Sequence, residues 1–187
     1  MMRLKGRVNL TVCVDKVAAS GGYMMACIAD KVIASEFSII GSIGVVADAP
    51  NVNRLLKRFN IDYDIYTAGE SKRTITMLGE NTEKGREKFI EQLEDTHDLF
   101  KGHVAKFRPS VDIGVVSDGS YWYGSEALKR GLVDEVSTSS SYIMSLFSEK
   151  NVYGVKFKSK KGVGERFGIH SAAAISSVIR KTLKNNF

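Results

Sequence analysis

Apolar and polar positions divide the first third of the chain into short elements. Val8, Leu10, Val12 and Val14 are apolar with Thr11 and Cys13 between them, the pattern of a largely buried strand, and the charged pair Asp15 and Lys16 bounds it. A run of small residues at 18–22 follows, after which Tyr23, Met24, Cys27 and Ile28 recur at helical spacing. Residues 31–35 read as a short strand, and 38–47 (SIIGSIGVVA) as a glycine-punctuated apolar segment suited to a buried sheet. A short helix is predicted over 51–59 behind Pro50, and another strand over 62–68. Strands and helices alternating at this spacing predict an α/β domain.

After the polar loop GESKRT at 69–74, Thr82 is placed to cap a long helix. Its stripe of Phe89, Leu93, Thr96, Phe100, Val104 and Phe107 faces the core, and Arg108 with Pro109 stops it. Residues 118–124 lead into a short helix at 125–130, capped by Ser125 and closed by Gly131, and 132–136 return extended. A helix at 142–147, a late strand at 152–157 and a terminal amphipathic helix at 172–183 complete the reading.

Composition narrows the class. At 187 residues, 43% hydrophobic and 26% charged, the chain suits one soluble domain, expected over 1–158 with a basic tail at 159–187. The net charge of +6 is unevenly spread: residues 156–187 hold eight Lys and Arg against one acid, and the remainder nineteen against twenty. A near-neutral body argues against nucleic acid, and such a tail reads first as a solvated terminus, second as a surface for anionic lipid or a partner, and third as a nucleic-acid arm. No apolar run reaches the roughly 18 residues a membrane span needs, and the opening MMRLKGRVNL lacks the apolar core of a signal peptide. Cys13 and Cys27 suit small buried thiols rather than a disulfide, and with His97, His103 and His170 dispersed no metal is expected.

Ser20 is the one residue of the small-residue run able to act as a nucleophile, set between a strand end and a helix start where unpaired amides favour developing negative charge. Gly21 and Gly22 beside it leave room for a substrate carbonyl. A serine in this position is also very often a helix N-cap, so a partner decides between the two. His97 and His103 fall on the long helix and read as ordinary helix-surface or half-buried residues. Lys72 in the 69–74 loop is the alternative base, although a lysine serves near neutrality only if burial or a neighbouring cation lowers its pKa from about 10.4 by roughly 3 units.

Taken in order, ASGGY at 19–23, GSIGV at 41–45, TAGESKRT at 67–74, GENTEKGREKF at 79–89 and WYGSEALKRGLVDE at 122–135 resemble the signal peptide peptidase A family of serine/lysine peptidases. The resemblance implies a fold similar to the Clp protease and crotonase architecture, a ββα superhelix. It implies Ser20 as nucleophile, Lys72 as general base 52 residues further on, Ser42 orienting the lysine and the Gly21 amide as an oxyanion donor. It further implies an endopeptidase acting without cofactor on extended apolar peptides, assembled as a homo-oligomer. Family members carry a Gly-Gly loop, further βα elements and a membrane anchor before the first strand, so a chain that begins this abruptly is expected to be the later part of a longer protein held at the periplasmic side of the inner membrane. Two other readings stay open: a crotonase-like acyl-CoA enzyme, and an assembly subunit with a spent site.

Overall fold

The computed structural model describes residues 1–156 apart from Glu70. Two compact units divide the chain, Met1–Lys150 and Asn151–Phe187, and all the elements named here lie in the first. The strand expected around residues 8–14 is β1, Thr11–Val14, with Val8 exposed ahead of it. After a turn at Asp15 and Lys16 the chain pairs again as β2, Val17–Ala19, and passes through Ser20 into the helix α1, Gly21–Ala26. The strands β3, Lys31–Ala34, and β4, Ile39–Gly41, repeat this pair of strands.

Each strand of the first pair lies parallel to its counterpart in the second. Thr11 faces Lys31 and Val14 faces Ala34 in one sheet, while Val17 faces Ile39 and Ala19 faces Gly41 in the other. The first sheet is completed by β6, Glu135–Val136, parallel to β3, and the second by β5, Tyr121–Tyr123, antiparallel to β4. The result is a mixed α/β arrangement of two three-stranded sheets, in the orders β1-β3-β6 and β2-β4-β5.

Five helices follow α1 among the described residues of the unit. They are α2, Asn53–Arg58, the long α3, Glu83–Phe107, the single turn α4, Ile113–Val116, and α5, Gly124–Lys129, with α6, Ser139–Leu146, last. The Thr82 hydroxyl accepts from the Gly85 amide, as its sequence position predicts, and α3 ends at Arg108. Only the second half of its apolar stripe is deeply placed: Phe100 and Val104 are buried, Phe89, Leu93 and Phe107 are half-buried, and Thr96 is exposed.

One core joins these parts. Val14, Ala18, Tyr23, Ala26, Cys27, Val32, Ile40, Ile43, Phe100, Val104 and Leu132 pack together, so the strands, α1 and the far half of α3 share a single apolar interior. Polar groups that enter it are paired. The Tyr23 hydroxyl donates to the Leu132 carbonyl at 2.8 Å, and Arg108 forks onto both Asp134 oxygens at 2.8 Å while also donating to the Gly131 carbonyl. Both cysteines are free thiols, Cys27 buried and Cys13 half-buried. Among the described residues no helix is long and apolar enough to cross a membrane.

Four expectations are corrected. The strand at 62–68 does not form: its residues pair with no ladder, Tyr66 is 90% exposed, and Ile65 alone turns inward against Gly79. Residues 152–156 are likewise not a strand, Tyr153 and Val155 standing exposed; Phe157 and the terminal helix expected at 172–183 lie outside the described residues. Ser125 does not cap α5, because the helix begins one residue earlier with Tyr123 in the cap position and no side-chain bond there. Finally β2, α4 and β5 are elements that the apolar pattern did not predict: three or four residues are too few to display a period.

Candidate active site

Ser20 stands where β2 hands over to α1. Its backbone, at φ 51° and ψ −121°, lies in the left-handed half of conformational space that serine seldom occupies, a strain on the order of 1–3 kcal/mol. Its side chain makes no cap bond to the helix, so the N-cap role does not account for the residue. The residue is exposed and lines an open cavity beside the strand end. A nucleophile needs this presentation, and a structural cap does not.

Ser42 occupies the matching place on the neighbouring strand. Because Ala19 faces Gly41 across the β2–β4 ladder, the two serines leave adjacent parallel strands at the same level, and the Ser20 amide donates to the Gly41 carbonyl at 2.8 Å. Ser42 also has φ 51°, and its amide donates to the Ser120 carbonyl at 2.8 Å. The Asp118 carboxylate in turn accepts from the Ser120 amide and hydroxyl, both at 2.9 Å, which holds it below the usual carboxylate range. This loop approaches the serine turn closely: a Cβ on Gly44 would stand 2.9 Å from the Gly119 Cα.

Ser20, Gly21 and Ser42 line one cavity of about 650 Å3, together with Met24, Val45, Val46 and Phe100 as apolar walls and Thr96, His97 and Asp118 as polar ones. Gly21 is exposed at its edge, and Gly22, half-buried, follows as the second residue of α1. A Cβ on either glycine would meet no atom within 4 Å, so neither is required by crowding within this chain. The first amides of α1 have no partner within the helix, which leaves them to solvent or to a bound acceptor.

Lys72 is not among the residues lining that cavity. It lies exposed in the loop after Gly69, its amide donating to the Gly69 carbonyl at 3.2 Å. Its neighbours Ser71, Arg73 and Thr74 line a second cavity, of about 600 Å3, against the first turns of α3. The chain thus brings together Ser20, Gly21 and Ser42, and leaves Lys72 apart from them.

Two cavity residues were given no role in the site by sequence reasoning. His97 reads in sequence as one more helix residue, yet its Nε2 lies 3.2 Å from the Ile43 carbonyl, one residue beyond Ser42. Asp118 sits in a stretch that reads only as a lead-in to the next helix; its Asx-type bonds to Ser120 follow from the D-x-S spacing, the available signal. Cys27 packs behind α1, and burial pushes its thiol up to about 11, which makes it an inert core group rather than a second nucleophile.

Comparison with known proteins agrees in scope. The description of peptidase family S49 matches residues 3–153. The "Probable protease SohB" of Haemophilus influenzae is 51% identical over 182 residues, covering 97% of this chain and 52% of that protein. The protein of the same name from Buchnera aphidicola subsp. Acyrthosiphon pisum is 46% identical over 186 residues, covering 100% of this chain and 54% of that one. The chain spans about half the length of the curated relatives it matches. A match of this extent bears out the resemblance read from the motifs, and the chain belongs to peptidase family S49.

Proposed function

We propose that this chain is the catalytic portion of a serine endopeptidase that cuts extended, apolar peptides through an acyl-enzyme, without a cofactor. The observation that carries the reading is the Ser20 backbone at φ 51°, with the residue exposed and its hydroxyl capping no helix, beside Ser42 in an apolar-walled cavity. In this reading the Ser20 hydroxyl oxygen attacks the peptide carbonyl while neutral Lys72 takes the hydroxyl proton. The Gly21 amide steadies the oxyanion, Lys72 returns the proton to the departing amine, and the ester left on Ser20 is hydrolysed by a water that Lys72 deprotonates. Ser42 orients the lysine amine. Lys72 has to reach the cavity for this, by movement of its own loop or from a neighbouring copy in a homo-oligomer.

The successive strands β1 and β2, each parallel to its counterpart in β3 and β4, support the Clp protease and crotonase-like superhelix as the parent architecture. Attachment at the periplasmic side of the inner membrane belongs to the same reading. Lys72's absence from the cavity lining favours the rival reading, an assembly subunit with a spent site. A fluorophosphonate probe separates them: labelling of Ser20 that disappears in Ser20→Ala is expected, and an unlabelled wild-type chain points to the spent site.

A further inference from the structure

The long helix α3 touches both serine-bearing elements through histidine side chains. His97 Nε2 lies 3.2 Å from the carbonyl of Ile43, next to Ser42, and His103 Nε2 lies 2.9 Å from the carbonyl of Met24, in the helix that begins at Ser20. A carbonyl oxygen only accepts, so both bonds require the proton on Nε2, whether the ring is neutral or cationic. Phe100, between the two histidines, and Val104, next after His103, enter the common core, and positions 97, 100, 104 and 107 follow one another at helical spacing on that face.

Apolar packing of this kind sets how deep a helix sits but resists sliding and rotation weakly. Two directed bonds, one at the start of the packed stretch and one within it, restrain that freedom beside the two serine-bearing segments, and Arg108 with Asp134 ties the far end of the helix. The ring of His103 is itself held edge-on to Phe107, with centroids 4.9 Å apart, and Lys5 stands over the Phe107 ring. We propose that α3 acts as an alignment bar for the site, and that His97 and His103 are positioning residues that fix Ser42 and Ser20 relative to each other rather than proton acceptors in the reaction. The proposal rests on Ser20 being the nucleophile only for its consequence in rate; the two bonds stand independently of it.

A positioning role and a base role respond oppositely to acid. Protonation leaves Nε2–H in place and keeps the tie, whereas it abolishes a base. Charged groups near the rings do not alter this: Asp118 shares the cavity with His97, Asp98 adjoins it on α3, and Lys5 and Lys106 flank the Phe107 ring that His103 meets. Glutamine can offer an amide N–H at a reach similar to Nε2 and has no imidazole to titrate; leucine fills similar space with no donor.

The test uses the 187-residue chain. Histidine 15N NMR of the wild type should show the Nε2–H tautomer for both neutral rings, and the Nδ1–H tautomer at either would overturn the proposal. Amide exchange at Gly44 and Met25 should quicken in His97→Leu and His103→Leu respectively and stay near wild type in the glutamine variants. Fluorophosphonate labelling of Ser20 should slow by about ten- to hundredfold in the leucine variants, as expected for a displaced reacting group, and recover in the glutamine ones without a change in its pH profile. Glutamine variants as slow and as exchange-prone as leucine ones, or a pH limb that vanishes in His97→Gln, would overturn it. If even the wild type takes no label, the peptidase reading fails while tautomer and exchange still decide this one.

Discussion

At the scale of single residues, strain and freedom distinguish Ser20 from a structural serine. Its left-handed backbone costs stability that its side chain does not return, since the hydroxyl caps nothing. Ser20→Ala is therefore expected to abolish peptide turnover while leaving the melting temperature unchanged or nearly so. Ser20→Gly should be equally inactive yet more stable by up to about 2 kcal/mol, because relief of about 1–3 kcal/mol of strain offsets or exceeds glycine's entropic cost of about 0.5–1 kcal/mol. Thermal unfolding of the pair checks this; a glycine variant less stable than the alanine one would contradict the strain argument. For Lys72, Lys72→Arg should lose at least about 99% of turnover, because guanidinium stays protonated and cannot take the serine proton. Near-normal rates in that variant would mean that another group does. Ser20 was legible because a lone hydroxyl among small residues at a strand–helix junction has a recognisable pattern. His97 was not, since its partner is a backbone carbonyl 54 residues away, and sequence carries no mark of such a bond.

Among the elements, periodicity foretold those long enough to display it. Helix α3, with its Thr82 cap, and the β3 strand appear where the pattern puts them. The 62–68 segment has strand-like residues but no neighbour to pair with, and strand preference is at root a preference for a half-buried ladder. Conversely β5 is strand only because Ile39 and Gly41 of β4 receive it. Two joints between elements give measurable expectations. Where α5 begins, a Cβ on Gly124 would lie 2.1 Å from the Ser35 carbonyl oxygen, so Gly124→Ala must push the helix off the β3–β4 connection. A loss of about 1–3 kcal/mol in denaturant unfolding is expected, with a neutral effect counting against the contact.

The second joint is Arg108 with Asp134, which ties the end of α3 to the approach to β6. Burial pulls the Asp134 carboxyl up, but the Arg108 hydrogen bonds and charge and the Val32 amide outweigh it and hold the group below its ordinary value. A lowered folded-state value means that the stabilisation is full above the unfolded carboxylate pKa of about 3.9 and is lost as pH falls through the folded value. Asp134→Asn should therefore cost about 2 kcal/mol near neutrality, less than a fully enclosed pair because Asp134 is part-exposed, and should flatten the acid limb of stability below about pH 4. An acid limb as steep as the wild type's would mean that other carboxylates dominate it.

At the scale of the whole molecule, the described chain leaves both of its first strands at sheet edges. β1 pairs only with β3, and β2 only with β4. Val8 just ahead of β1 and Val17 within β2 are exposed, Val17 at 61%. An edge with free ladder groups and apolar flanks is a template for another strand. The sequence pattern foretold a buried first strand, and the structure buries Val14 while leaving the outer edge unpaired, so the apolar content that reads as core in sequence includes surface in this chain. The isolated chain is expected to self-associate as its concentration rises, measured by light scattering, and Val17→Lys on the outer strand should shift that association to higher concentration by placing a charge where a neighbour would pair. Because Val17 does not line the Ser20 cavity, the same variant should keep its fluorophosphonate labelling rate. A wild-type chain that stays monomeric at high concentration, or a lysine variant that associates as readily, would show that these edges are already protected.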